Sequence, residues 1–366
     1  MEREIVMKSC LVIGYMNANF GDDLFFKILF ERYKKVKFYF FPPSELLKQY
    51  KRTFRHNRNV IFYDQDEFYL RSKEEVGDDS VPIYLFPMIL EKAKEADFYI
   101  NIGGSIFIQN PDWKEDDRFK IKEALGKKPS FIVGCNFGPG DKEYHDYFEK
   151  WFKNFDDVCF RDKKSYKQFN NLNNTRIADD IVLVGANKNK KSPMNKKTIG
   201  ISVIDVENYP EIAKSKESYL KFITNIIKIY QEKDYKISLF SFCKKDGDLK
   251  TIYEILERID DNKNIKVVSY EGNINRVISE WKSNKYIIAT RFHAVILALK
   301  YKQIFLPLVY SDKTSDYLKD IDRSIRTVDI NSLKNININK LTFVEINKKY
   351  NSEEQFEKID KYLKGE

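Results

Sequence analysis

Arg291 and His293, two residues apart in the stretch Ala-Thr-Arg-Phe-His-Ala (289–294), carry the clearest chemical signal in the chain. An arginine presents a planar fork of N–H donors that matches the paired oxygens of a carboxylate or phosphate. A histidine changes charge near neutral pH and can give or take a proton. Side by side they suit acid–base chemistry on an anionic substrate. The chain has only three histidines, and the other two, His56 and His145, lie in polar sequence and are given no role. The alternative is a helix-capping arginine and a histidine satisfied inside the core. The residues alone leave both readings open.

The elements around this pair place it. Residues 286–289 are an apolar run short enough for one buried strand, 294–299 (AVILAL) are strong helix formers, and 304–309 read as a second buried strand closed by Ser311-Asp312-Lys313. Arg291, Phe292 and His293 then fall where the first strand turns into the helix. In open α/β sheets ligands bind outside the carboxyl ends of strands. A helix N-terminus there adds unpaired N–H groups and about half a positive charge. Lys313 reads either as a further phosphate contact or as a surface lysine.

Similar turns recur upstream. Residues 9–14 (SCLVIG) form the first expected strand, and a polar loop through Asn19-Phe20-Gly21-Asp22 follows. Asp22-Asp23 open an expected helix to about residue 33, and capping explains one of these acids. Residues 36–41 and 59–63 read as strands, 82–96 as a helix and 97–102 as another strand. Gly103-Gly104-Ser105 comes next. Paired glycines let a backbone approach a ligand closely, and a tight turn explains them equally. Residues 130–135 are a strand before Asn-Phe-Gly-Pro-Gly (136–140). Residues 157–160 are another, and Arg161 sits at its end as Arg291 does, with an Arg161–Asp162 surface pair as the alternative.

Residues 186–197 are rich in Asn and Lys without apolar period, and read as a linker. The alternation resumes with TIGISVI at 198. Asp246 and Asp248 flank Gly247 in another strand-to-helix turn, where capping is the default for Asp248. Strand–helix alternation in both halves predicts parallel sheets with right-handed crossovers. The expected division is an N-terminal domain over 1–186, a linker over 187–197, a C-terminal domain over 198–345 and a terminal helix within 346–366. Both domains are expected to be Rossmann-like α/β units facing a cleft.

At 366 residues and 42% hydrophobic, the chain can bury two cores. It has no apolar run of about 18 residues, and its N-terminus lacks the pattern of a signal peptide, so a cytoplasmic protein is expected. The four cysteines are scattered, three of them in apolar strands, which predicts buried thiols and no zinc site. A net charge of +9 suits an anionic substrate or peripheral contact with an anionic membrane surface. No helix-turn-helix, zinc-finger or RNA-binding signature accompanies it, so nucleic acid is not an expected partner.

The order apolar strand, R-F-H-A, apolar helix, apolar strand, Y-S-x-K resembles the C-terminal signature of the polysaccharide pyruvyl transferase family. Asn19-Phe20-Gly21-Asp22, Gly103-Gly104-Ser105, Gly134 to Pro139 (GCNFGP) and Arg161-Asp162-x-x-Ser165 resemble its other elements, in the family's order. Ala178-Asp179-Asp180 resembles the closing P-D element without its proline. The resemblance implies the two-Rossmann fold of GT-B glycosyltransferases. It also implies transfer of a pyruvyl group from phosphoenolpyruvate to hydroxyls of a sugar or lipid-linked glycan in surface or exopolysaccharide biosynthesis. On that reading His293 is the acid/base, and Arg161 and Arg291 hold the anion. Phe292, Asn19, Gly21, Asp22, Gly103, Gly104, Ser105 and Lys313 are the other substrate-facing residues, with no metal and no cofactor. A nucleotide-sugar glycosyltransferase and a non-catalytic glycan-binding member are the alternatives.

Overall fold

The computed structural model describes residues 7–64, 86–189 and 197–366. The chain divides into two compact units. The first comprises residues up to 17, 22–181 and 353–366, and the second comprises 18–21 and 182–352. The expected linker lies partly outside the described residues, at 190–196, and its start, the short turn Ala186–Lys188, belongs to the second unit. The terminal segment, a 3-10 turn Ser352–Phe356 and a helix Glu357–Lys364, largely folds into the first unit, not with the residues before it.

The first unit is built on a seven-stranded parallel sheet. Its strands are β1 (Ser9–Gly14), β2 (Lys37–Phe40), β3 (Val60–Phe62), β4 (Phe98–Ile102), β5 (Ser130–Cys135), β6 (Asp157–Phe160) and β7 (Thr175–Ile177). They lie in the order β3-β2-β1-β4-β5-β6-β7. Strands covered on both faces read as continuous apolar runs, and every residue of β4, β5 and β6 is buried. The polar exceptions are Ser130 and Asp157, which open β5 and β6, and Asn101 inside β4. Neither atom of its amide finds a hydrogen-bond partner among the described residues, nor does the hydroxyl of Tyr99 on the same face.

The second unit repeats the plan with β8 (Thr198–Ser202), β9 (Lys236–Ser241), β10 (Ile265–Ser269), β11 (Tyr286–Ala289), β12 (Ile304–Val309) and β13 (Val328–Asp329). Their order is β10-β9-β8-β11-β12-β13, all parallel. Each sheet therefore reverses winding beside its first strand, between β1 and β4 and between β8 and β11. That reversal opens a crevice at the carboxyl edge of a doubly wound sheet. The loops after β4 and β11 are those carrying Gly103-Gly104 and Arg291.

The first helix starts earlier than expected, and residues 82–85 of the helix expected over 82–96 lie outside the described residues. The first helix runs Phe20–Arg32, two residues ahead of Asp22, because Asn19 Oδ1 accepts the backbone N–H of Gly21 (3.0 Å). Phe20 is held by its own N–H to Phe242 O (2.9 Å) and by ring contacts with Phe242 and Tyr270, which place 18–21 with the second unit. The helix expected over 82–96 is described from Phe86 to Glu95. All four cysteines are buried thiols, Cys10, Cys135 and Cys159 within the apolar strands that predicted it.

Candidate active site

In the second unit, β11 ends at Ala289 and the helix Phe292–Lys300 begins at once. Ser202, the last residue of β8, accepts the backbone N–H groups of Thr290 (3.3 Å) and Arg291 (3.1 Å) through its hydroxyl. The strand-to-helix turn is thereby tied to the neighbouring strand across the switch point. His293 lies in the first helical turn. Its imidazole rests on the Cα of Gly21: a β-carbon there would fall 1.8 Å from Nδ1. Gly21 is glycine because any larger residue would occupy the position of the ring. Two of the residues expected at the site, 272 positions apart, thus touch.

Phe292 is buried and meets Tyr317 edge-on, with ring centres 5.2 Å apart. Lys313 Nζ stands 4.5 Å over the Phe292 ring, a cation–π arrangement that holds an ammonium beside the residue preceding His293. The lysine is thus positioned, not a loose surface charge.

Arg291 is engaged more heavily than an anion-holding residue needs. Its Nε donates to Asp248 Oδ2 (2.9 Å), Nη2 donates to Asp248 Oδ1, and Nη1 donates to Asp246 Oδ2 (2.9 Å) and reaches Tyr209 Oη (3.4 Å). Asp248 Oδ2 also accepts the N–H groups of Phe242 and Cys243, each at 2.9 Å. Asp248 is therefore not the helix cap expected of it. It is the buried counter-ion of Arg291 and fastens the end of β9. Burial raises the Asp248 carboxyl, opposed by Arg291. Burial works against the charge on Arg291, but Asp248, Tyr209 and Tyr310 together raise the guanidinium pKa. One guanidinium between two carboxylates leaves this cluster formally negative.

The first unit holds a parallel arrangement at the ends of β4, β5 and β6. Arg161 is 3% exposed, and its guanidinium donates to Asp180 Oδ2 (2.8 Å) and Asn136 Oδ1 (2.6 Å). The Arg161–Asp162 pair does not form. Asp162 instead caps the helix Lys163–Phe169, accepting the N–H and hydroxyl of Ser165. Gly104 lies flat on the guanidinium, where a β-carbon would come within 2.6 Å of both terminal nitrogens. Ser105 Oγ donates to the same Asn136 oxygen (3.0 Å). Gly103 precedes this pair, and a β-carbon there would meet Ile106 at 2.7 Å.

Gln355, from the terminal segment, completes that edge. Fully buried, it accepts from Gly134 N (2.8 Å) and donates to the carbonyls of Ala178 (2.9 Å), Asp179 (3.2 Å) and Phe160 (3.4 Å). It fixes the backbone that presents Asp180. The expected residues Asn19 and Asp22 lie at and after the first helix cap, with Asp22 half-buried.

Asp180, Asn136, Asp246, Tyr209 and Gln355 were not singled out for this edge from sequence. Spacing also missed that His145, Asp146 and Glu149 bring one ligand atom each within 4.8 Å of the others. That imidazole is already stacked on Phe169 (4.7 Å), with Nε2 3.2 Å from Gln168 O. A shallow depression lined by Gln109, Asn110, Pro111, Trp113, Pro139 and Gly140 carries no titratable side chain.

Two parallel sheets of Rossmann order, each with an arginine–carboxylate cluster at its carboxyl edge, give the chain the two-domain α/β fold of the GT-B type. Residues 19–312 match the sequence pattern of the polysaccharide pyruvyl transferase family, and the chain belongs to that family. No curated protein matches the chain significantly. Among solved structures it is similar to the UDP-GlcNAc 2-epimerase from Methanocaldococcus jannaschii, at 12% identity and a TM-score of 0.58 over 97% of this chain and 100% of that one. It is also similar to a glycosyltransferase from Rickettsia africae ESF-5 (8% identity, TM-score 0.51, 98% and 89% covered). Anabaena Alr3699/HepE, solved with UDP and glucose, aligns at 10% identity and a TM-score of 0.51 over 88% and 85%. At these identities the likeness is one of fold. Among the described residues no helix is long and apolar enough to cross a membrane.

Proposed function

We propose that this protein moves the pyruvyl group of phosphoenolpyruvate onto hydroxyls of a sugar during polysaccharide synthesis, without metal or organic cofactor. The observation that carries this reading is the seating of His293 on Gly21 at a helix N-terminus, beside an ammonium held over Phe292. The reaction needs the carboxylate and phosphate held, carbon 3 protonated so that carbon 2 becomes electrophilic, and the hydroxyl protons removed. His293 serves as the proton-transfer group. Lys313 and the helix N-terminus attract the anion. Arg291, paired with two carboxylates, contributes chiefly by fixing the turn from which His293 projects. Arg161 does the same for the turn Gly103-Gly104-Ser105, proposed as the substrate-facing turn of the first unit. Phe292 supports Lys313, Gly21 seats the imidazole, Asn19 caps the turn that carries Gly21, and Asp22 is proposed as a further substrate-facing residue.

A thermal titration tests the donor. A ligand that binds only the folded state raises the melting temperature by mass action. Phosphoenolpyruvate at millimolar concentration should do so, while UDP-glucose should not. A shift with the nucleotide sugar alone would place the protein with the glycosyltransferases.

A further inference from the structure

We infer that Asp246, together with Tyr209 and Tyr310, forms a sugar-hydroxyl subsite at the carboxyl edge of the second unit, and that Asp246 accepts the proton of the attacking hydroxyl. The chemical role rests on the pyruvyl-transfer reading; the binding role stands without it.

The two aspartates that hold Arg291 are unequal. Asp248 is fully buried and accepts from two backbone amides as well as the guanidinium. Asp246 gives one oxygen to Arg291 Nη1 at 2.9 Å and keeps 32% of its side chain exposed. Its loop is tied down: Asn208 Nδ2 donates to Asp246 O (2.8 Å), which joins the turn after β8 to the turn after β9. The adjoining Gly247 adopts a left-handed conformation (φ 80°), directly over the carboxylate of Asp205. An oriented, accessible carboxylate is therefore presented beside the switch point, where ligands bind in such sheets.

The aromatic half of the subsite is adjacent. The hydroxyl of Tyr209 reaches Arg291, and its ring packs against Tyr310 with centres 4.5 Å apart and planes at 50°. Both tyrosines are half-buried. Aromatic rings with a polar handle, next to a carboxylate acceptor, suit a ligand with one apolar face and a rim of hydroxyls. A pyranose ring has that character. A second phosphate does not, because this cluster is formally negative.

The proton accounting uses both groups. As the first hydroxyl oxygen bonds to carbon 2 of phosphoenolpyruvate, its proton passes to Asp246. The C2–C3 π pair takes a proton from the His293 imidazolium, making a methyl group. The C2–O bond to phosphate then breaks, the electron pair leaving with phosphate, which takes the proton from Asp246. The second hydroxyl bonds to carbon 2 and returns its proton to His293. Donor and diol give ketal and inorganic phosphate, with both side chains restored.

The test is a saturation-transfer NMR titration with methyl hexopyranosides (β-galactoside, β-glucoside, β-N-acetylmannosaminide), alongside phosphoenolpyruvate melting shifts, on wild type, Asp246→Asn and Tyr209→Leu. The expected result is binding of at least one glycoside by the wild type. It should weaken about tenfold or more in Asp246→Asn, as befits a lost hydrogen bond to a charged group, with the phosphoenolpyruvate shift retained. Tyr209→Leu removes the ring and leaves the carboxylate, so it keeps the test decisive if the first variant folds poorly. Glycoside binding unchanged in both variants, or no binding by the wild type, overturns the subsite. Binding that depends on Asp246 without any phosphate release from phosphoenolpyruvate upholds the subsite and refutes pyruvyl transfer.

Discussion

The imidazole of His293 and the Cα of Gly21 are in direct contact, with a β-carbon on Gly21 excluded to within 1.8 Å of Nδ1. Gly21 also lies inside the first turn of a helix. Helix propensity alone would favour alanine there by about 1 kcal/mol. Overpacking a filled site costs about 1–3 kcal/mol. The steric term wins, so Gly21→Ala should lower stability and turnover together, read as denaturant midpoint and product formed per folded molecule. A more stable, fully active alanine variant would show that the ring moves aside without consequence.

Gly104→Ala makes the same kind of test in the first unit. The new methyl would press on a guanidinium that is almost fully buried and held by Asp180 and Asn136. A loss of about 1–3 kcal/mol is expected in urea unfolding. No loss would mean that Arg161 is free to shift.

Much of the second unit was legible because its signals are local. The runs 286–289 and 304–309 became β11 and β12 with those bounds, and the helix between them starts at Phe292. The partners of the arginines were not legible. Arg161 meets Asp180 across 19 residues and Asn136 across 25, and Arg291 meets Asp248 across 43. Parallel strands bring such residues together at one edge, and no spacing within a motif encodes the pairing. Asp162, the nearer acid, was used instead as a helix cap. β7, three half-buried residues, is too short for an alternation to show. The early start of the first helix rests on Asn19, but its first residue, Phe20, is held by Phe242 and Tyr270, more than two hundred residues away.

Arg291→Lys should reveal the structural part of Arg291. A lysine keeps the charge but cannot bridge Asp246 and Asp248 with one planar fork. Breaking a buried pair by removing one partner costs about 3–5 kcal/mol, and keeping an ammonium nearby should hold the loss below that range. The ligand-free melting temperature should therefore fall. An unchanged value would mean that Arg291 is not a strut of the turn.

Gln355→Leu, far from any proposed chemistry in sequence, should destabilise the first unit. It removes the partner of the Gly134 N–H and of the Ala178 carbonyl, both buried, at about 1–3 kcal/mol for each group left unsatisfied. Hydrogen exchange localises the effect: faster exchange at Gly134 is expected, and protection unchanged from wild type would contradict the clamp.

Pyruvyl transfer with His293 as the proton-transfer group is tested by one paired measurement. Phosphate release from phosphoenolpyruvate is followed with a panel of hexopyranosides for wild type and His293→Gln, with the denaturant midpoint taken on the same samples. Acceptor-dependent release is expected from the wild type, with a fall of about 10²–10⁴-fold in the variant at a nearly unchanged midpoint. A lowered midpoint with normal release per folded molecule would contradict it and make His293 a core residue.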